Sequence, residues 1–399
     1  MEKRTTYAFG LLLVLGLCFT LGSLAGKASP QEIRNVPYIP LIQDVSYAPA
    51  VVAAGGQYHL IYELHLTSVF GRDLTLRRLE IMNSRNAAVK AYDGKELFRC
   101  LVRPGRQPDP EEKGVLGSGA RAVAFLMLSF GDSAQIPDAL IHRVTVVYAR
   151  PNGEQVVLQG DSRPFPVSRK EAVVIGPPVR PGVWLAGNGP GDGPVGHRLS
   201  MQAWNGRLVV NQRYALDFMK FGEDNRLVRG ENAANPNWTS YGQEILAVAD
   251  GEVVEIKDGV VENTPGEKYA VPNTLENAAG NFIVLKIGSD AFAAYSHLQP
   301  KSLRVKAGDR VRKGQVLGLI GNSGISDAPH LHFHVIDAAS FFGGESVPYV
   351  FEEFELLGPF LNLDENIDKS WVPQGPAGKR RKEILLGDHV IRILQEFAR

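Results

Sequence analysis

Cysteine is almost missing from this chain: there are two in 399 residues, and one of them, Cys18, lies in an apolar N-terminal stretch. Without that stretch no intrachain disulfide can form, and Cys100 reads as a small buried hydrophobe. Zinc sites built on thiolates are excluded as well, so any metal must be held by histidine and carboxylate. An excess of charge of one sign is also lacking. Lys plus Arg and Asp plus Glu both number 43, so no bulk field points to nucleic acid or to a polyanionic surface as partner. Helical periodicity is scarce in the second half of the chain.

What is present begins with a basic pair, Lys3-Arg4, and an apolar run over residues 8–24 followed by small residues. This pattern predicts an export signal over residues 1–28, with an uncleaved membrane anchor as the alternative. Leu17 precedes Cys18 where a lipoprotein signal carries a small residue, so lipid attachment is not expected. The remaining length is too great for one ordinary core. Residues 36–175 read as short strands broken by Gly, Pro and Asp, and Tyr58, Leu60, Tyr62, Leu64 and Leu66 alternate with their neighbours. An immunoglobulin-like antiparallel β-sandwich is expected there, as a packing or spacer domain. His59, Glu63 and His65 fall on one face of a strand and read as a solvated face rather than a metal site.

Turn-rich stretches at residues 176–182 and 187–194 mark a boundary. A second mainly β domain is expected over residues 181–340, with a hairpin insertion at residues 258–280 on the rim of its groove. Residues 341–399 read as an extension packing on that domain, and the basic run at residues 379–382 reads as a solvated turn.

Three of the nine histidines fall in the five residues His330-Leu331-His332-Phe333-His334. On a strand their imidazoles share one face while Leu331 and Phe333 enter a core. Such a face can supply both a zinc ligand and a base for the proton of an attacking water. Asp217 stands in an otherwise apolar strand, where a carboxylate needs a metal or a partner such as Arg213. His297 ends another apolar strand and is a candidate for the same cleft.

Gly280-Asn281-Phe282-Ile283, Tyr295-Ser296-His297-Leu298, Gly308-Asp309-Arg310-Val311-Arg312-Lys313-Gly314-Gln315, Gly321-Asn322-Ser323-Gly324 and His330-Leu331-His332, in that order, resemble the lysostaphin-type (LytM-like) zinc metallopeptidases. The resemblance covers about residues 180–337. It implies a β-sheet groove, in barrel-sandwich style, that holds one zinc ion and cleaves short peptides of bacterial peptidoglycan in the cell envelope. By position it makes His332 and Asp217 metal ligands and His330 and His297 catalytic. It also implies that His330 takes a proton from water and His297 stabilises the oxyanion, with the reverse assignment equally open in the sequence. One element departs from the pattern: the family's first ligand is a His four residues before the Asp, and Arg213 stands there. Arginine has no lone pair to offer a metal. His197 is the nearest upstream histidine and is expected to replace it. The alternative expectation is a degenerate module that binds peptidoglycan or activates another hydrolase.

Overall fold

Apolar side chains recur at every second position from Tyr58 to Leu66, and Gln57–Ser68 is accordingly one long strand. In the computed structural model, which describes residues 33–106, 108–230 and 234–394, this strand joins Leu41–Asp44, Val51–Ala54, Leu101–Val102 and Arg121–Phe130 in one sheet. A second sheet, containing Leu74–Asn83, Ala88–Asp93, Ala139–Ala149 and Gln155–Asp161, faces it across a core that includes Leu60, Leu64, Leu79, Leu126 and Val144. The pairing is antiparallel except for Ile33–Asn35, which runs parallel to Gln155–Asp161. Cys100 is buried beside this core, its thiol donating to the Leu97 carbonyl at 3.1 Å, and burial pushes it up to about 12.

The face bearing His59, Glu63 and His65 is not solvated. All three side chains are buried, and Ile61 between them enters the core of the second half of the molecule. The strand is covered on both sides because the second half packs on its outer face.

That second half is built on an eleven-stranded sheet. Its central order is Gly182–Gly187, Leu216–Lys220, Leu331–Ile336, Ala291–Leu298, Asn281–Gly288 and Gly251–Lys257, each antiparallel to the next. The C-terminal extension does more than pack on this sheet. Its strand His389–Ile393 pairs with Gly182–Gly187, and Tyr349–Pro359 pairs in turn with His389–Ile393. The basic run is a strand too, Gly378–Glu383, rather than a turn. Its charges are met across the ladder, with Arg381 Nε donating to Glu353 at 2.6 Å. Residues 258–280 connect two neighbouring strands and contain one helical turn, Leu275–Ala278. The segment read as an export signal lies outside the described residues. Among the described residues no helix is long and apolar enough to cross a membrane.

Candidate metal centre and its cleft

The histidine strand Leu331–Ile336 runs between Leu216–Lys220 and Ala291–Leu298, so His332 lies opposite Asp217 on one side and Ser296 on the other. The alternation places its side chains as the sequence predicts. Leu331, Phe333 and Val335 are fully buried in the main core beside Leu216, Phe218 and Tyr295, which forces the imidazoles of His332 and His334 to the opposite face.

His197 reaches that face from another direction, on the single 3-10 turn Gly196–Leu199. His332 Nδ1 lies 3.0 Å from Asp217 Oδ1 and 3.1 Å from His197 Nε2, and His197 Nε2 lies 3.3 Å from Asp217 Oδ2. Donor atoms around a tetrahedral ion with bonds of about 2.0–2.1 Å stand roughly 3.3 Å apart, so each of these contacts has the length that two ligands of one zinc ion show. The two contacts to Asp217 use different carboxylate oxygens, and one donor atom from each residue lies within 4.8 Å of the others. Two nitrogens and a carboxylate are a donor set suited to such an ion. Among the described residues these three form the one His/Cys/Asp/Glu group close enough to hold a metal.

The surrounding hydrogen bonds fix which nitrogen faces the site. A carbonyl oxygen can only accept, so each imidazole bonded to one must carry its hydrogen on that side. His197 donates from Nδ1 to the Asn188 carbonyl at 3.1 Å, which leaves Nε2 to face Asp217 and His332. The same Asn188 donates from its side chain to Asp217 Oδ2 at 2.8 Å. His330 donates from Nδ1 to the Ala328 carbonyl at 2.7 Å, and His297 from Nδ1 to the Ser323 carbonyl at 2.9 Å. The Nε2 of His330 is thereby aimed at Asp217 Oδ1, 3.5 Å away. A lone pair on His332 Nδ1 requires its hydrogen on Nε2, which meets His334 Nδ1 at 3.0 Å.

Burial by itself would raise the Asp217 carboxyl, but the His197 and His330 imidazoles outweigh it and hold it well below the usual carboxylate range. Burial, aided by His197, pushes His332 down to about 4. His297 is held well below its ordinary value by burial and by its neighbours His330 and His332. Burial would lower His197, but the Asp217 carboxylate beside it outweighs burial and raises it above its ordinary value. The site thus combines an ionised carboxylate with two imidazoles, His297 and His332, that keep a free lone pair.

His297 carries a φ of 62°, a left-handed conformation that costs a non-glycine residue of order 1 kcal/mol or more. It is held there by its own N–H on the Ala279 carbonyl and by the Gly321 N–H on its carbonyl, at 3.0 and 3.1 Å. Its ring stands 4.8 Å from that of His330, so the two catalytic candidates lie side by side next to the donor atoms. Leu275, Ile325, Phe341 and Phe342 supply apolar walls, with Gln202 and Asn211 as neutral polar groups.

Arg213 does not pair with Asp217. It is buried with its guanidinium on Glu63 and Glu345, pointing away from the donor triangle. Sequence reasoning had no signal for Asn188 beyond its place in a Gly-rich turn, and none for the partners of Arg213.

Residues 237–343 match a family model described as Peptidase family M23. The match contains His297, His330 and His332 and begins after His197, Arg213 and Asp217. The chain is 40% identical over 98 residues to a protein named "Uncharacterized metalloprotease" from Haemophilus influenzae, covering 24% of this chain and 17% of that protein. It is 38% identical over 79 residues to peptidoglycan DD-endopeptidase ShyA of Vibrio cholerae, covering 20% of this chain and 16% of that one. The chain therefore spans under a fifth of the length of these curated relatives. Among solved structures it is similar to the catalytic domain of lysostaphin from Staphylococcus simulans, with 23% identity, a TM-score of 0.23, and coverage of 42% of this chain and 88% of that one.

Proposed function

Because the chain carries a peptidase domain of family M23, the lysostaphin-type (LytM-like) family, we propose that it is an exported zinc endopeptidase hydrolysing peptide bonds of bacterial peptidoglycan. The observation that carries this reading is the convergence of His197 Nε2, Asp217 and His332 Nδ1 within 3.0–3.3 Å of one another beside two further imidazoles. We assign these three side chains as the ligands. When bound, zinc supplies the Lewis acidity that makes water a nucleophile near neutral pH and polarises a peptide carbonyl.

The chain's own groups divide the remaining work. His330 is assigned to accept the proton of the attacking water and return it to the leaving amine. A charge gained on its Nε2 is stabilised by the Asp217 carboxylate 3.5 Å away. His297 has its Nδ1 hydrogen committed to Ser323, so its Nε2 offers a lone pair. That arrangement suits orienting the attacking water better than the oxyanion role expected from the sequence. The apolar walls and neutral amides of the cleft suit an uncharged peptide segment. On this reading residues 181–340 carry the chemistry.

The test is zinc content measured together with release of soluble peptides from purified peptidoglycan. The wild-type chain is expected to hold about one zinc and to digest the polymer, and His332→Ala to lose both. A second reading, a non-catalytic peptidoglycan-binding module, is favoured by one observation, Arg213 in the family's usual ligand position. Wild-type protein that binds peptidoglycan but holds no zinc would establish it.

A further inference from the structure

His197 is followed by Arg198, whose side chain is fully buried and points out of the peptidase half into the N-terminal β-sandwich. Its Nη1 donates to the Gly191 and Gly193 carbonyls at 2.7 and 3.1 Å. Its Nη2 donates to the Tyr62 carbonyl at 3.1 Å and to Glu63 Oε1 at 2.8 Å. The guanidinium also lies over the ring of Phe125, 5.2 Å from its centroid. Every one of these partners is fixed backbone or a buried side chain, so the fork geometry leaves Arg198 a single position. The 3-10 turn bearing His197 is pegged to the sandwich through it.

Glu63 uses its other oxygen on Arg213, which donates from Nε at 2.8 Å. Arg213 lies four residues before Asp217 and is joined to Glu345 on its far side. One buried carboxylate of the N-terminal domain therefore grips both segments that deliver ligands from outside the histidine strand. The arrangement also accounts for the relocated ligand, since the side chain at position 213 is committed to Glu63 and Glu345 while His197 fills the metal-facing place.

We propose that Glu63 is a positioning residue of the metal centre, acting through Arg198 on the turn that presents His197, so that the N-terminal domain is a constitutive part of the site rather than a spacer. The inference rests on the ligand assignment above. Partners that orient a ligand characteristically change metal affinity about 10- to 100-fold when removed.

The test uses the full chain and zinc alone, with affinity read by competition against a chromophoric chelator well below the unfolding temperature. Glu63→Gln is expected to bind zinc about 10- to 100-fold more weakly than wild type. A purely structural role would lower the unfolding temperature and leave the affinity of the folded protein unchanged. A double-mutant cycle identifies the route: in a His197→Ala background the further change Glu63→Gln should lower affinity by much less than it does in wild type, leaving only what passes through Arg213 to the segment of Asp217. Arg198→Lys keeps the charge opposite Glu63 but not the fork, and is expected to weaken zinc in the same direction if Glu63→Gln does not fold. Wild-type affinity in folded Glu63→Gln or in Arg198→Lys overturns the inference, as does an equal loss with and without His197. A wild type that binds no zinc, or an Asp217→Ala variant that binds it as tightly as wild type, would instead overturn the ligand assignment.

Discussion

Asn188 holds two of the three candidate ligands by different parts of itself, the backbone carbonyl on His197 and the side-chain amide on Asp217. It does so with a φ of 56°, which asparagine tolerates better than most residues. Asn188→Gly keeps the backbone conformation and the carbonyl bond but deletes the amide. Zinc affinity is expected to fall about tenfold with little change in unfolding temperature. Chelator competition alongside a thermal melt checks this, and unchanged affinity would show that Asp217 needs no such support. How far single residues were legible depended on how local their signal was. The alternation around His332 is a property of five adjacent residues, and Asp217 stood out as a carboxylate among apolar neighbours. His197 could be found only by elimination, and the structure does bring it to Asp217 and His332. The double use of Asn188 and the commitment of Arg213 to Glu63 and Glu345 rest on contacts between distant segments, which no short-range pattern encodes.

Among the elements, the loop at residues 321–324 and the connection ending at Gly280 are pressed together more closely than side chains permit. A Cβ on Gly324 would stand 2.3 Å from the Gly280 nitrogen, and one on Gly280 would stand 2.4 Å from the Ser323 carbonyl oxygen. Both glycines are also left-handed, with φ of 83° and 61°. The contact sets the Ser323 carbonyl, and with it the tautomer and direction of His297. Gly324→Ala must push the two loops apart. Because none of the three candidate ligands bonds to this loop, zinc content is expected to stay near wild type while the rate of peptidoglycan digestion falls about 100-fold, the scale of an ångström's misplacement at a reacting group. Loss of zinc in step with the rate would contradict this separation of roles. The turn character of these residues was readable from the sequence, but their tight apposition was not. The basic run misled in a similar way. Four adjacent charges suggested a solvated turn, whereas a ladder against Glu353 and Glu355 lets them form the strand Gly378–Glu383.

At the scale of the whole molecule, length and turn composition suggested separate domains, and the described residues cluster as one compact unit in which the sandwich keeps a core of its own. Val52, Ala54 and Ile61 of the sandwich belong to the same buried core as Trp184, Tyr214, Leu216 and Ile384. The Ile384 N–H donates to the Ala53 carbonyl at 2.9 Å and Tyr47 donates to Asp337 at 2.8 Å, so both the sheet extension and the peptidase half are tied to the sandwich. The ion network makes separation costly. Withdrawing Glu63 leaves Arg198 without its carboxylate and Arg213 with Glu345 alone, and stripping one partner from a buried pair costs about 3–5 kcal/mol. That is a large share of the roughly 5–15 kcal/mol by which a folded chain is stable. Neither half can then unfold without exposing the other's core and charges, so calorimetry of the full chain is expected to show one transition whose van't Hoff and calorimetric enthalpies agree. A chain beginning at Val173 should melt at a much lower temperature or fail to fold. Two resolved transitions, with the one belonging to the peptidase half unmoved by Glu63→Gln, would show that the halves are independent and that the buried contacts between them contribute little.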